Sequence, residues 1–300
     1  MEEYIVKKEE AGLRADKFLA ARRPDLSRIF LLKAMRLKKI RRNGKRTEGS
    51  ERLEAGDVIS CRLPAPGEAP VRTDGFTVVY EDEHILAVNK KRGLLCEDRT
   101  GREKNTLLAQ VNAYLAAKGE RASLCHRIDY NTAGLVLLAK DGESLSAMEA
   151  AIRERLPEKR YLCAAVGPVR PKAGRLTGQI FKDAKKNRVY VTDAPVKGSK
   201  TAVTDYRVLA EKDGLSLVEC TLVTGRTHQI RSQMAHAGWP ILGDEKYGSK
   251  AANQARGERR QLLSACAVTL HFGGKGGVLS YLEGKSVTAP ADFRKKYFGK

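Results

Sequence analysis

The 300-residue chain reads as an α+β protein, with a mixed, largely antiparallel sheet, flanking helices and a small N-terminal α/β domain in front. Three observations predict this. Strand-like stretches outnumber helix-like ones and do not alternate with them in the regular rhythm of a parallel α/β fold. The stretch PAPGEAPVRTDG, residues 64–75, carries three prolines and two glycines, and separates residues 1–63 from residues 76–300 as a linker. The 42% hydrophobic content supplies a real core and excludes a disordered chain.

The elements follow in order. Ser27 stands where an N-cap opens a helix running to about Arg36. Phe30, Leu31, Ala34 and Met35 fall on one face of it, Lys33 and Arg36 on the other. Asn43-Gly44 is a tight-turn signal. FTVVYEDEHILAVNK gives two strands around an acidic turn. NTLLAQVNAYLAAK gives a helix with Leu107, Leu108, Val111 and Leu115 on one side, and ESLSAMEAAIRERL another with Leu145, Met148, Ile152 and Leu156 inward. Between them GLVLLA, residues 134–139, has the continuous apolar character of a strand buried on both faces. RYLCAAVG, TAVTDYRVLA and LSLVECTLVT are strands; in the last, Val218, Cys220 and Leu222 share a face.

The net charge is +20 and the isoelectric point about 9.8, which points to a polyanionic partner, nucleic acid first. The excess is clustered: from Lys33 to Arg46, eight of fourteen residues are Lys or Arg and none is acidic. A basic helix face running into a basic turn suits a phosphate backbone. The six cysteines are widely spaced, with no C-x-x-C pair, and read as reduced thiols, several of them in strands. MEEYIVKKEE lacks the apolar run of a signal peptide, and no stretch approaches the roughly 20 apolar residues that span a bilayer, so a soluble, cytoplasmic protein without membrane contact is expected.

Three stretches carry candidate chemistry. In HRIDYNTAGLVLLAKD, Asp129 lies on a loop at the mouth of the buried strand, where active groups tend to sit. Desolvation there raises a carboxylate's pKa unless a cation stands close. Arg127, Arg226 and Arg231 are the candidates for that cation. In LVTGRTHQIRSQMAHAGWPILGDEKYG, Thr227 is placed to cap the next element. His228 and His236 have no Cys or carboxylate at ligand spacing, so no metal is expected and a hydrogen-bonded histidine is. In EKRYLCAAVG, Lys159, Tyr161 and Cys163 share one strand face.

Those three stretches in that order, with GDEKYG after TGRTHQIR and YEDEHILAVNKKRG in front, closely resemble the RluA-type RNA pseudouridine synthases over residues 76 to at least 285. Residues 13–60 resemble the S4-type RNA-binding domain through Leu13-Arg14-Ala15-Asp16-Lys17-Phe18-Leu19, Ser27-Arg28, Asn43-Gly44-Lys45, Leu53 and Gly56-Asp57-Val58-Ile59. Arg42 departs from that pattern, where a small apolar residue is usual, and Lys91-Arg92 departs from the proline-containing loop usual after Asn89-Lys90.

The resemblance implies a pseudouridine-synthase-type sheet and an isomerase that needs no cofactor and no metal. Such enzymes break the N-glycosidic bond of a uridine in RNA, turn the uracil and rejoin it through C5. By resemblance Asp129 is the catalytic aspartate and Arg231 the arginine paired with it. Tyr161 stacks on the target base, Arg127 helps displace the nucleotide, and Thr132 belongs to the same substrate-binding set. Arg14, Lys17, Arg28, Lys33, Arg36, Lys38, Arg41 and Lys45 form the expected RNA-binding set of the front domain. The implied partner is RNA, large-subunit ribosomal RNA ahead of transfer RNA, and a monomer is expected. Two other classes compete: a non-catalytic RNA-binding or ribosome-associated factor on the same fold, and a glycoside hydrolase, which needs a second carboxylate that the Asp129 motif lacks.

Overall fold

The computed structural model describes residues 2–23, 28–63, 73–98, 100, 103–183 and 188–299; the side chains of residues 28–30, 33 and 117 lie outside that description. The chain divides into two units, Met1–Val71 and Arg72–Lys300. The expected cap Ser27 and most of the expected linker, residues 64–72, lie outside the described residues. Gly75 is tied into the larger unit, its N–H donating to Gln110 Oε1 at 2.8 Å.

The first unit runs β1 (Glu2–Ile5), α1 (Ala15–Arg22), α2 (Arg28–Arg36), β2 (Ile40–Arg42), β3 (Lys45–Arg46) and β4 (Val58–Cys61). Its four strands pair antiparallel in the order β1-β4-β2-β3. Phe18, Leu19, Leu31 and Met35 from the helices bury against Ile40, Leu53 and Ile59. Asn43 and Gly44 take φ of 51° and 77° between the paired Arg42 and Lys45, the left-handed geometry of a two-residue hairpin turn. Arg42 is held by an ion pair: its Nε lies 2.7 Å from Oδ2 of Asp57. Burial pushes Asp57 up, but the Glu54 amide, Arg42 and Asn43 outweigh it and hold this carboxyl below its ordinary value.

The second unit opens with β5 (Phe76–Glu81), β6 (Ile85–Lys90), α3 (Leu107–Leu115), β7 (Ser123–Leu124), β8 (Ala133–Ala139), α4 (Gly142–Glu154) and β9 (Glu158–Val166). It continues with β10 (Ala173–Asp183), β11 (Arg188–Thr192), β12 (Lys200–Lys212), β13 (Leu215–Leu222), α5 (Gln229–His236), α6 (Lys250–Arg256), β14 (Leu263–Thr269), β15 (Ser286–Thr288) and α7 (Asp292–Phe298). Eleven strands form one sheet in the order β11-β10-β12-β13-β9-β14-β8-β6-β5, with β15 beside β14 and β7 beside β8. Among the described residues every pair is antiparallel except β14 with β8.

Strand β8 is buried along its whole length, and its period of two assigns its faces. Leu135, Leu137 and Ala139 join the core that includes Met148 and Ala151 of α4. Val136 and Leu138 join the one that includes Leu107, Val111 and Leu115 of α3. Thr106 caps α3 by accepting from the Ala109 amide at 3.2 Å, and Asp141 caps α4 through the Ser144 amide at 2.8 Å. At the parallel pairing Gly134 adopts φ 108°, and a Cβ there would stand 2.2 Å from the Ala265 carbonyl oxygen, so only glycine lets β14 approach. No helix among the described residues is long and apolar enough to cross a membrane.

Candidate active site

The loop between β7 and β8 carries Asp129, and the chain holds that loop by its backbone. The Thr132 amide donates to the Asp129 carbonyl at 3.0 Å, closing a turn. The next carbonyl, that of Tyr130, accepts from the Gly93 and Leu94 amides at 2.9 and 3.3 Å and from Lys90 Nζ at 3.2 Å. Lys90 is 1% exposed and also donates to the carbonyls of Leu94 and Lys91. Burial pushes its ammonium down to about 8. Thr132 is itself buried, its hydroxyl accepting from Gln261 Nε2 at 3.1 Å.

Helix α5 brings the partner. Gln229, Arg231, Ser232 and Gln233 are all buried, so this short helix turns a largely polar face inward. Such a face is tolerated only when its groups are satisfied. Gln229 accepts from the Thr224 hydroxyl and the Arg226 amide and donates to Val203 O and Thr204 Oγ1. Gln233 accepts from Thr204 and donates to Leu176 O and Ala202 O. These bonds pin α5 to β10 and β12 and fix where Arg231 points. His228, at φ 54°, is the N-cap of α5; the expected cap, Thr227, is not.

Arg231 stands between two carboxylates. Its Nη1 donates to Asp129 Oδ2 at 2.8 Å, while Nε and Nη2 donate to Asp244 at 2.7 and 3.0 Å. Asp244 is 1% exposed. Burial alone would push it up, but Arg231 and the amides of Tyr247 and Lys246 hold it below its ordinary value. The bidentate grip on Asp244 fixes the guanidinium plane and leaves Nη1 to donate to Asp129. Tyr247 packs under the guanidinium, 5.2 Å from ring centroid to Cζ, and its hydroxyl bonds with His228 Nδ1 at 2.8 Å. His228 Nε2 lies 3.9 Å from Asp129 Oδ2. Burial lowers the His228 pKa, the Asp129 charge opposing that shift.

These groups open on a cleft of about 620 Å³ lined by Asp129, Tyr161, Arg231, Arg127, Thr132 and Lys159 among others. Tyr161 comes from the centre of the sheet, on β9, and is 8% exposed. Burial, then the Asp129 charge, raises its phenol, so it stays neutral. Its hydroxyl makes no hydrogen bond with any described residue, unlike that of an ordinary core tyrosine. Among known proteins, the family model for RNA pseudouridylate synthase matches residues 84–236, a span that contains Asp129, Tyr161 and Arg231.

The chain belongs to the RluA-type RNA pseudouridine synthases.

The synthase is thus an isomerase acting on RNA. It is 31% identical over 257 residues to the uncharacterized RNA pseudouridine synthase YlyB of Bacillus subtilis, covering 83% of this chain and 84% of that one. It is 34% identical over 253 residues to ribosomal large subunit pseudouridine synthase C of Rickettsia conorii, covering 79% and 82%. The human RNA pseudouridylate synthase domain containing 1 superposes with a TM-score of 0.62 at 22% identity, over 76% of this chain and 88% of that one, a likeness of fold.

Of the three arginines weighed as partners for Asp129, the synthase uses Arg231. Arg127 is exposed and pairs with Glu97 at 3.0 Å, and Arg226 donates to the Thr201 carbonyl. In the front unit Lys17, Arg36, Lys38, Arg41 and Lys45 are exposed. Arg14 pairs with the buried Asp16 at 3.1 Å, and the side chains of Arg28 and Lys33 lie outside the described residues. Asp244, Tyr247 and Lys90 were not singled out by sequence. For the first two the available signal was the GDEKYG motif, which places a carboxylate and an aromatic three residues apart.

Proposed function

We propose that the synthase converts uridine to pseudouridine in large-subunit ribosomal RNA, with Asp129 as its catalytic group. The observation that carries this reading is the 2.8 Å contact between Asp129 and Arg231 inside a cleft that also holds Tyr161. A carboxylate held beside a fixed guanidinium acts as a nucleophile toward the ribose or stabilises positive charge there. The name of the Rickettsia relative supports the ribosomal target.

The flipped base stacks on Tyr161. Extruding a base costs on the order of a few kcal/mol, and one aromatic stack returns about 1–3 kcal/mol. Arg127 and phosphate contacts supply the rest. The exposed Arg127–Glu97 pair is worth about 0–1 kcal/mol, so Arg127 leaves it at little cost to occupy the gap in the RNA. Thr132 acts by shaping the Asp129 turn and by lining the cleft.

Residues 1–63 act as an S4-like RNA-binding domain. Supporting this are the four-stranded sheet with two helices and the exposed row Arg36, Lys38, Arg41 and Lys45. The test is pseudouridine mapping of total RNA from cells with and without the protein. Loss of pseudouridine from large-subunit ribosomal RNA is expected, and loss confined to transfer RNA would overturn that target.

A further inference from the structure

Four cations line the cleft: Arg127, Lys159, Arg226 and Arg231. Three are engaged, by Glu97, by the Thr201 carbonyl, and by Asp129 with Asp244. Lys159 is not. It is half-buried and makes no hydrogen bond or ion pair with any described residue. Burial depresses its ammonium, and no carboxylate counteracts that. Its cross-strand partners are the apolar Leu222 and Val268, and it shares the cleft lining with Ile152, Tyr161 and His126. His126 brings no negative charge: its Nε2 accepts from the Leu137 amide, and burial and Lys159 push its pKa down to about 3, leaving it neutral. A desolvated cation with no counter-charge is costly to keep, and this one stands where substrate enters.

Position narrows what it meets. Lys159 and Tyr161 are two residues apart on one face of β9, so their Cβ atoms are about 7 Å apart. A lysine stem spans most of that distance. A base stacked on Tyr161 with its ribose toward Asp129 therefore presents its ring edge, not its phosphate, within reach of the Lys159 ammonium.

We infer that Lys159 is a catalytic residue that donates to a carbonyl oxygen of the flipped uracil and neutralises the charge the base acquires on leaving the ribose. When the N1–C1′ bond breaks, its electron pair stays with the base, which becomes a uracil anion with charge on N1, O2 and O4. The matching deficit at C1′ falls on the Asp129 side. When C5 bonds to C1′, the C5 proton goes to solvent and N1 regains one, so the exchange balances without a co-reactant. A preorganised donor aimed at developing charge in a desolvated cleft contributes most in the transition state and little to ground-state binding. The inference rests on the isomerase reading of the cleft.

The experiment uses the full-length protein and total RNA from cells that lack it, labelled with tritium at C5 of uridine, under single-turnover conditions with protein in excess. The plateau rate of tritium release reports the step within the complex, and the half-saturating protein concentration reports binding. Wild-type release is required first; its absence would sink the isomerase reading itself. With wild-type release in hand, Lys159→Met is expected to lower the plateau about 100-fold, the size of one missing donor to developing charge. Its half-saturating concentration should stay within about threefold and its melting temperature should equal or exceed wild type, because Lys159 holds nothing in the free protein and its desolvated ammonium is a cost there. Lys159→Arg should recover at least a tenth of the lost rate. An unchanged plateau overturns the inference, and when combined with weaker, less salt-dependent binding it assigns Lys159 to a phosphate instead. A Lys159→Met protein that melts well below wild type overturns it as well, by assigning the residue a structural role.

Discussion

Arg231 Nη1 donates to Asp129 Oδ2 at 2.8 Å although the two residues are 102 positions apart in the chain. Neither residue arranges this alone. Asp129 is placed by a turn whose carbonyls are held by Thr132, Gly93, Leu94 and Lys90, and Arg231 by the glutamines of α5 and the grip of Asp244. The guanidinium is nine-tenths buried and serves both carboxylates.

Removing that guanidinium leaves Asp244 buried without its cation. Arg231→Ala is expected to destabilise the fold by about 3–5 kcal/mol, read by urea denaturation at pH 7. The pH dependence follows in sign. In the wild type the Asp244 pKa is below its ordinary 3.8, so its contribution is complete above that value and is lost as pH falls through the folded pKa. In the variant, burial without Arg231 raises the same carboxyl, and protonation relieves it. The stability gap between the two proteins should narrow as pH falls from 7 toward 4. A gap that is constant or widens would count against this role for Arg231.

Lys90 titrates in the opposite range. Burial pushes its folded pKa down to about 8 from an ordinary 10.5. Between those values the unfolded chain binds more protons than the folded one, so this residue makes stability rise with pH. Wild-type stability measured against Lys90→Met should therefore climb from pH 8 to pH 10. A flat or falling difference would show that the ammonium is not desolvated in the fold.

Much of this arrangement was legible in the sequence, and the rest has a common reason for escaping. The apolar run of β8, the one-sided α3 and α4 and the Asn43-Gly44 turn follow from periodicity and turn chemistry, and the structure contains each. The pairing of Asp129 with Arg231 came from motif resemblance, since nothing local links residues so far apart. Helix α5 gave no periodic signal because its buried face is largely polar, with Gln229, Arg231 and Gln233 where apolar residues would announce a helix. Strands β10 and β11 are half-exposed and rich in charged and small residues, so their alternation is faint. Beyond the GDEKYG motif nothing local distinguishes Asp244; its burial against Arg231 shows what it does.

The front unit has its own core of Phe18, Leu19, Leu31, Met35 and Ile40 among others. Deleting residues 1–63 should leave the second unit folded, weaken RNA binding and flatten its dependence on salt. Every phosphate that the shortened protein no longer neutralises takes close to one unit off the logarithmic salt slope, and Lys17, Arg36, Lys38, Arg41 and Lys45 are exposed there. Filter binding across salt concentrations is the measurement, and an unchanged slope would refute a role for this unit in holding RNA.

The most direct measurement compares wild-type protein with Asp129→Asn on ribosomal RNA from cells lacking the synthase, counting pseudouridine formed and RNA bound in the same samples. The amide keeps the shape of the carboxylate and removes its charge. Asp129→Asn is expected to bind RNA within about threefold of wild type and to form pseudouridine about 1,000-fold more slowly or not at all. Pseudouridine formed by Asp129→Asn at the wild-type rate would contradict the assignment of Asp129 as the group that carries the reaction.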